Sequence, residues 1–398
     1  MRMWVIYVMA GVLFFGCNSG DSSPTTLPPS TPTNVEGEDI RAYQHGIDFL
    51  QRRDGSYLVI WASSGLPPQG ANAQGEWTHD VYYSTIKPDA PQLEPQRLID
   101  EVRAQEPVSA AIASNGHIMV SMEDAFGGDD LYAQTYGVYD ERMEPVKGYR
   151  QIGAYGGHSG HVSAVGDTFV LFYSEGWVDG GGVNELGSGD DVWLQIYDAE
   201  GSNIGEQEVA VGDATRDWWP LVAGSIEVAL LLWQQFVSHE SFATLRYSIY
   251  NPRQERWVTA PATLLEAIQY YHYDVQYLEA LDAFLVSGTT YENVGFALLL
   301  SAEGNILAQQ MHLPPLVREA QPALQTLSAT EVEAVYPSIP SGVAVLTVSR
   351  NAIELKQHVA HDYRWSYGGT DGIFTEPERL YFINLSAQGT KEIVIDLK

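Results

Sequence analysis

Between residues 40 and 398 one hydrophobic pattern recurs: a short strand-like run, a tight turn, then a second and strongly apolar run. The first pairs are Ile47–Gln51 with Tyr57–Ser63, Val108–Ala113 with His117–Glu123, and His161–Val165 with Thr168–Glu175. Leu221–Ala223 with Glu227–Gln235 and Asp274–Leu278 with Ala283–Thr289 follow. The last are Glu333–Ile339 with Val343–Arg350 and Gly372–Thr375 with Leu380–Leu385. The joining turns are Asp54-Gly55, Asn115-Gly116, Gly166-Asp167, Gly224-Ser225, a turn at Asp282, Ser341-Gly342 and Glu376-Pro377. Most of these carry the residues that a tight hairpin demands. Helical periodicity is scarce, and only Leu264–Tyr271 and Val317–Leu327 read as short helices.

Seven such units, spaced mostly about 50 to 60 residues apart, predict an all-β chain folded as a seven-bladed β-propeller. In the early units a third run opens on an aspartate at the same place. The three instances are His79-Asp80-Val81-Tyr82-Tyr83, Asp129-Asp130-Leu131-Tyr132 and Asp190-Asp191-Val192-Trp193. Asp80, Asp130 and Asp191 read as loop chemistry at a strand start, ahead of metal binding. The seventh unit runs out of chain after Lys391–Leu397. Its outer strand is expected from Ile40–Tyr43, so that the N-terminal strand closes the ring and removes a free edge. A pair of β-sandwiches is the rival architecture.

The first forty residues have a different character. Arg2 precedes an apolar run from Trp4 to Phe15, followed by Gly16-Cys17. That run is too short for a spanning helix, which needs roughly 20 residues, and fits a secretory signal. A small residue directly before a cysteine resembles the lipobox of bacterial lipoproteins, with Phe14 standing where leucine is usual. The resemblance implies that Cys17 is lipidated and becomes the mature N-terminus. Asn18 to Val35, rich in Ser, Thr and Pro, reads as a flexible tether. The expected organisation is a signal peptide at 1–16, a lipidated cysteine and linker at 17–39, and a propeller at 40–398. The protein is then exported and lipid-anchored to the bacterial membrane, through that N-terminal anchor only.

Composition narrows the function. The chain has 398 residues, with 21 basic against 51 acidic side chains and a net charge of −30. It lacks the clustered Lys and Arg that a nucleic-acid binder needs. Its single cysteine excludes intrachain disulfides and cysteine metal clusters. In a propeller, the residues just before each inner strand ring one mouth of the central channel. Here those are His45, Glu106, His158-Ser159-Gly160-His161, Arg216-Asp217-Trp218-Trp219, His272 and Asp371. Loops on the same face add His79, Glu123-Asp124, Ser174 to Asp191, and His239. Six of the ten histidines thus converge on one surface with a scarce arginine. Trp177 and Trp218 suit sugar stacking, while Trp219 reads as core. No nucleophile elbow, zinc-protease motif or sialidase box is present, and the glycine-rich Val178–Gly189 stretch lacks a phosphate motif.

Gly156-Gly157-His158-Ser159-Gly160-His161-Val162, Tyr173-Ser174-Glu175-Gly176-Trp177 and Ala214-Thr215-Arg216-Asp217-Trp218-Trp219 resemble the seven-bladed propeller polysaccharide lyases that cut ulvan. The resemblance implies β-elimination at a uronic acid of a sulfated algal polysaccharide, with histidine and tyrosine as base and acid. Such a reaction needs the carboxylate neutralised, a base at C5 and an acid at the departing O4. Arg216 matches the carboxylate, and His158 or His161 the base. Tyr173, His272 or Tyr271 matches the acid. His45, His79, Trp177, Trp218 and Tyr271 are the expected substrate-binding residues. No cofactor is required, although calcium or zinc could neutralise the carboxylate instead. A non-catalytic anchored propeller that binds glycan or protein is the alternative.

Overall fold

The computed structural model describes residues 46–63, 80–99, 105–125, 132–175, 191–211, 215–237, 240–386 and 389–398. Consecutive antiparallel meanders make up the chain. The first contains β1 (Ile47–Gln51), β2 (Tyr57–Ser63), β3 (Asp80–Ile86) and β4 (Gln96–Ile99). The second is β5 (Ser109–Ile112), β6 (Ile118–Ala125), β7 (Tyr132–Tyr139) and β8 (Pro145–Tyr155). The third is β9 (Gly157–Val165), β10 (Thr168–Glu175), β11 (Asp191–Tyr197) and β12 (Asn203–Ala210).

A seven-stranded sheet follows, and it is two meanders fused. It runs β13 (Asp217–Gly224), β14 (Ala229–Phe236), β15 (Ala243–Asn251), β16 (Arg256–Leu278), β17 (Ala283–Thr290), β18 (Gly295–Leu300) and β19 (Ile306–Leu313). The 23-residue β16 pairs with β15 up to Ile268 and mainly with β17 from Tyr273 onward. It is the outer strand of one meander and the inner strand of the next. Then come β20 (Ala323–Ser328), β21 (Glu331–Pro337), β22 (Ser341–Ser349) and β23 (Ala352–Arg364). The last sheet is β24 (Thr370–Glu376), β25 (Arg379–Ser386) and β26 (Gly389–Asp396).

Each meander packs on the next, and the last packs on the first. The second strands are apolar on successive residues because both faces are covered: Leu58, Val59, Ile60, Trp61 and Ala62 are all fully buried. Leu58 and Ile60 meet Ile118 and Val120 of the second meander, and Met119 and Val138 meet Phe169 and Leu171 of the third. Val170 and Phe172 meet Leu231 and Trp233; Leu230 and Leu232 meet Phe284 and Val286. Leu285 and Leu299 share a cluster with Val345 and Phe382. Tyr381 and Ile383 close the ring against Val59 and Trp61. Each such side chain contributes about 1.5–3 kcal/mol on burial. The chain is an all-β propeller.

Two expectations are corrected. Leu264–Tyr271 and Val317–Leu327 are not helices: the first lies within β16, and the second contains the start of β20. Hydrogen bonding to strands on both sides of β16 overrides a chance helical spacing of apolar residues. The only helical element among the described residues is the short 3₁₀ turn Glu279–Leu281. In the sixth meander the apolar pair read as first and second strands is the second and third, β21 and β22, with β20 ahead of them. The signal, tether and closing strand Ile40–Tyr43 lie outside the described residues.

Candidate functional site

The inner strands surround a central cavity of about 400 Å³, whose lining includes His161, Trp219 and Glu319. Where these strands begin, the backbone turns left-handed at Ser159 (φ 52°), Trp219 (54°), Tyr271 (64°) and Glu319 (54°). These are one residue each from the third, fourth, fifth and sixth meanders. Glycines take the corresponding places in the first and seventh, Gly46 and Gly369, with φ of 85° and 120°. Register breaks accompany the first three, between Phe172 and Ser174, Trp218 and Leu221, and Ile268 and Tyr273. A bulge re-aims side chains, and a non-glycine left-handed residue costs on the order of 1–3 kcal/mol. Bulky residues are therefore held at one mouth of the channel against their backbone preference.

Local hydrogen bonds hold each piece. The Ser159 N–H donates to Glu123 Oε1, and the Gly160 N–H donates to Gln134 Oε1 at 3.0 Å. A Cβ at Gly160 would lie 2.4 Å from the Gln134 amide carbon, so a larger residue there would have to displace the Gln134 amide that holds the Gly160 N–H. Asp217 accepts from Trp233 Nε1 at 2.5 Å, while the Phe236 N–H donates to the Arg216 carbonyl at 2.7 Å. The Tyr271 N–H donates to Gln234 Oε1 at 3.0 Å, and the Tyr273 hydroxyl donates to the Trp219 carbonyl at 2.6 Å.

The result is a continuous aromatic and cationic cluster. The Arg216 guanidinium lies 3.4 Å from the centroid of Trp218, whose ring is 4.2 Å from His158. His161 meets Trp219 at 5.2 Å, and Trp219 meets Tyr271 edge-on at 5.1 Å. Arg318 covers Tyr271 at 4.3 Å. The Nδ1 atoms of His161 and His272 lie 3.0 and 2.8 Å from the carbonyls of Ser159 and Tyr270. Each Nδ1 therefore carries the proton, which leaves Nε2 of the neutral ring as an acceptor. Burial pushes His272 down to about 4, so it is neutral at pH 7. Burial also pushes the Tyr270 hydroxyl up to about 12, although nearby Arg216 pulls the other way.

Of the expected site residues, the structure brings together His158, His161, Arg216, Trp218, Tyr271 and His272. His158 is only 2% exposed and packs beneath Trp218, so His161 is the histidine that faces the cavity. Trp219, for which core packing is the favoured expectation over sugar stacking, is buried and spaces His161 from Tyr271. Tyr173 is a correction. Alternation along β10 sends Phe172 and Ser174 toward the fourth meander, where His158 also points, and sends Tyr173 into the core shared with the second. Its hydroxyl accepts from Gln195 at 3.4 Å, and burial raises its pKa. Asp371 is buried beside Asp48 and Asp274 of the channel wall. Cys17, His45, His79, Asp130, Trp177 and His239 lie outside the described residues. Among the described residues no three His, Cys, Asp or Glu side chains are grouped as metal ligands.

Sequence reasoning missed Arg318 and Glu319. They precede β20, as His158–His161 lie at the start of β9 and Arg216 precedes β13, but the sixth meander was framed one strand late. Counting back from Ala323 instead would have found them.

Comparison with solved structures places this architecture among known folds. The polysaccharide lyase Uly1 superposes with a TM-score of 0.51 at 11% identity, covering 93% of this chain and 95% of that one. The likeness is one of fold alone. A WD40 domain of Toxoplasma gondii coronin gives a TM-score of 0.50 at 7% identity, covering 88% and 84%. An acylaminoacyl peptidase from Pyrococcus horikoshii, at TM-score 0.49 and 11% identity, is matched over 89% of this chain but only 51% of its own. No family model matches the sequence, and neither does any curated protein.

Proposed function

We propose that the chain is a polysaccharide lyase that cleaves a uronic-acid-containing sulfated polysaccharide of the ulvan type by β-elimination. The observation that carries this reading is the Arg216 guanidinium, in a residue only 3% exposed, lying 3.4 Å from the Trp218 centroid at the start of an inner strand whose neighbours carry His161 and Tyr271. A planar fork at a stacking platform suits a sugar carboxylate. With its charge compensated, the C5 proton becomes acidic and the developing enolate is stabilised. His161 Nε2 takes that proton, because Nδ1 is committed to the Ser159 carbonyl. The C4–O4 bond breaks, and O4 leaves with a proton from the Tyr271 hydroxyl. Neutral His272 has no Nε2 proton to give, and Tyr173 faces away. The products are a new reducing end, whose anomeric hydroxyl is the departed O4 with its added proton, and a 4,5-unsaturated uronate on the other fragment. Anchored to the membrane through Cys17, on its periplasmic or cell-surface side, the propeller would meet polymer or its fragments outside the cytoplasm.

The test is ultraviolet absorbance of the unsaturated uronate while ulvan and other uronate polymers are incubated with the protein. Absorbance should grow with ulvan, and Arg216→Ala should lose turnover far more than melting temperature. Silence across the whole panel sinks the enzyme reading, and binding without absorbance would make the site a glycan-binding module.

A further inference from the structure

Arg318, just before the sixth meander, covers a ring of the fifth, much as Arg216 covers a ring within the fourth. Its guanidinium lies 4.3 Å from the Tyr271 centroid, as that of Arg216 lies 3.4 Å from Trp218. Its side chain is 20% exposed, and Glu319, itself 5% exposed, takes the Nε–H at 2.9 Å. Of the five guanidinium N–H donors, the four on the terminal nitrogens have no protein partner among the described residues and reach solvent. The neighbouring groups set its surroundings: Tyr271 below, Glu319 beside, and His272, neutral at pH 7 and 6.3 Å from Tyr367. Tyr270 and Tyr271, with centroids 6.3 Å apart, lie between the two cationic platforms, for Tyr270 is close enough to Arg216 to feel its charge. In a chain of 21 basic against 51 acidic side chains, two arginines thus lie against aromatic rings of neighbouring inner strands, Arg318 sharing its charge with Glu319.

We propose that Arg318 is a second anion-binding position, which holds the negatively charged substituent of the sugar adjoining the one at Arg216. The site then reads a pair of neighbouring anionic sugars. The proposal rests on the lyase reading for its polymer, but its chemistry is that of a partly exposed guanidinium fork and serves a sulfate ester or a second carboxylate alike.

The experiment compares wild type, Arg318→Gln and Arg318→Lys on ulvan, on chemically desulfated ulvan and on unsulfated polygalacturonate. KM and kcat are read where there is turnover, and Kd from tryptophan fluorescence in every case. Loss of one charge-assisted contact is expected to weaken KM or Kd roughly tenfold, with kcat little changed and partial recovery in Arg318→Lys. A loss confined to ulvan identifies the anion as sulfate. A loss that persists on desulfated ulvan and polygalacturonate identifies it as carboxylate. An equal fall in kcat on all three polymers, with KM unmoved, overturns the proposal and makes Arg318 a positioning residue for Tyr271. Unchanged binding in both folded variants also overturns it. The fluorescence arm keeps the outcomes separable, since binding can depend on Arg318 even where no polymer is cleaved.

Discussion

At the scale of single residues, side-chain direction decides which candidates can act together. Tyr173 and Ser174 are neighbours in sequence, yet a strand sends them to opposite faces. Ser174 reaches the Asp217 carbonyl of the fourth meander, while Tyr173 packs with Val162 and Tyr197. Tyr173→Phe should therefore leave turnover within about twofold of wild type and lower stability by roughly 1 kcal/mol, the worth of one weak buried hydrogen bond. A loss of several orders of magnitude in the absorbance assay would restore it to the reaction. The histidines were legible as a group from their place before inner strands. Their division of labour was not, because the burial of His158 under Trp218 depends on a contact between meanders, and the tautomer of His161 depends on the left-handed turn that brings the Ser159 carbonyl to its Nδ1.

At the scale of elements, the meanders wedge together at glycines whose roles differ. Gly224, at the end of β13, faces β9 so closely that a Cβ would lie 1.9 Å from the Ala164 carbonyl oxygen. Backbone cannot yield as a flexible side chain can, so Gly224→Ala should destabilise by about 1–3 kcal/mol or more. Gly148 has nothing within 4 Å of such an atom, so Gly148→Ala should melt within about 0.5 kcal/mol of wild type. Similar melting temperatures for the two variants would show that the third and fourth meanders are not packed this tightly. The hairpins themselves were readable from turn residues and apolar runs. The sixth meander was misframed because its inner strand, β20, is half-buried and polar, with Gln325, Thr326 and Ser328 among its residues. Apolar density alone points instead to β21 and β22. That slip hid Arg318.

At the scale of the whole molecule, the ring forces acidic residues from distant parts of the chain into one channel. Asp48 of the first meander accepts from Gln321 of the sixth at 2.8 Å and from the Ala110 N–H of the second at 2.6 Å. Gln321 in turn accepts from Gln276 at 3.1 Å, and Gln276 also donates to Asp274 at 3.1 Å. The Phe49 N–H donates to Asp371 at 2.7 Å. Burial pushes Asp48 up to about 6 and Asp274 up to about 7, and it raises Asp371 well above the carboxylate range, with the other two aspartates adding to the rise. A carboxyl whose folded pKa exceeds its unfolded value of 3.8 binds its proton more tightly in the native state, so stability is lost as pH rises through 6 to 7. The melting temperature should therefore be higher at pH 5 than at pH 8. Asp274→Asn should stabilise the protein at pH 8, by on the order of 2 kcal/mol, and much less at pH 5. A gap that does not change with pH would contradict this origin. The sequence alone determined that the chain is β throughout, that it repeats, and that histidines and an arginine precede its inner strands, because those signals are local in periodicity and turn chemistry. The tertiary structure alone decided which of those residues meet, that Arg318 joins Arg216, and that three aspartates share one channel. Closing a ring brings residues from opposite ends of the chain into contact, and local patterning carries no information about such pairs.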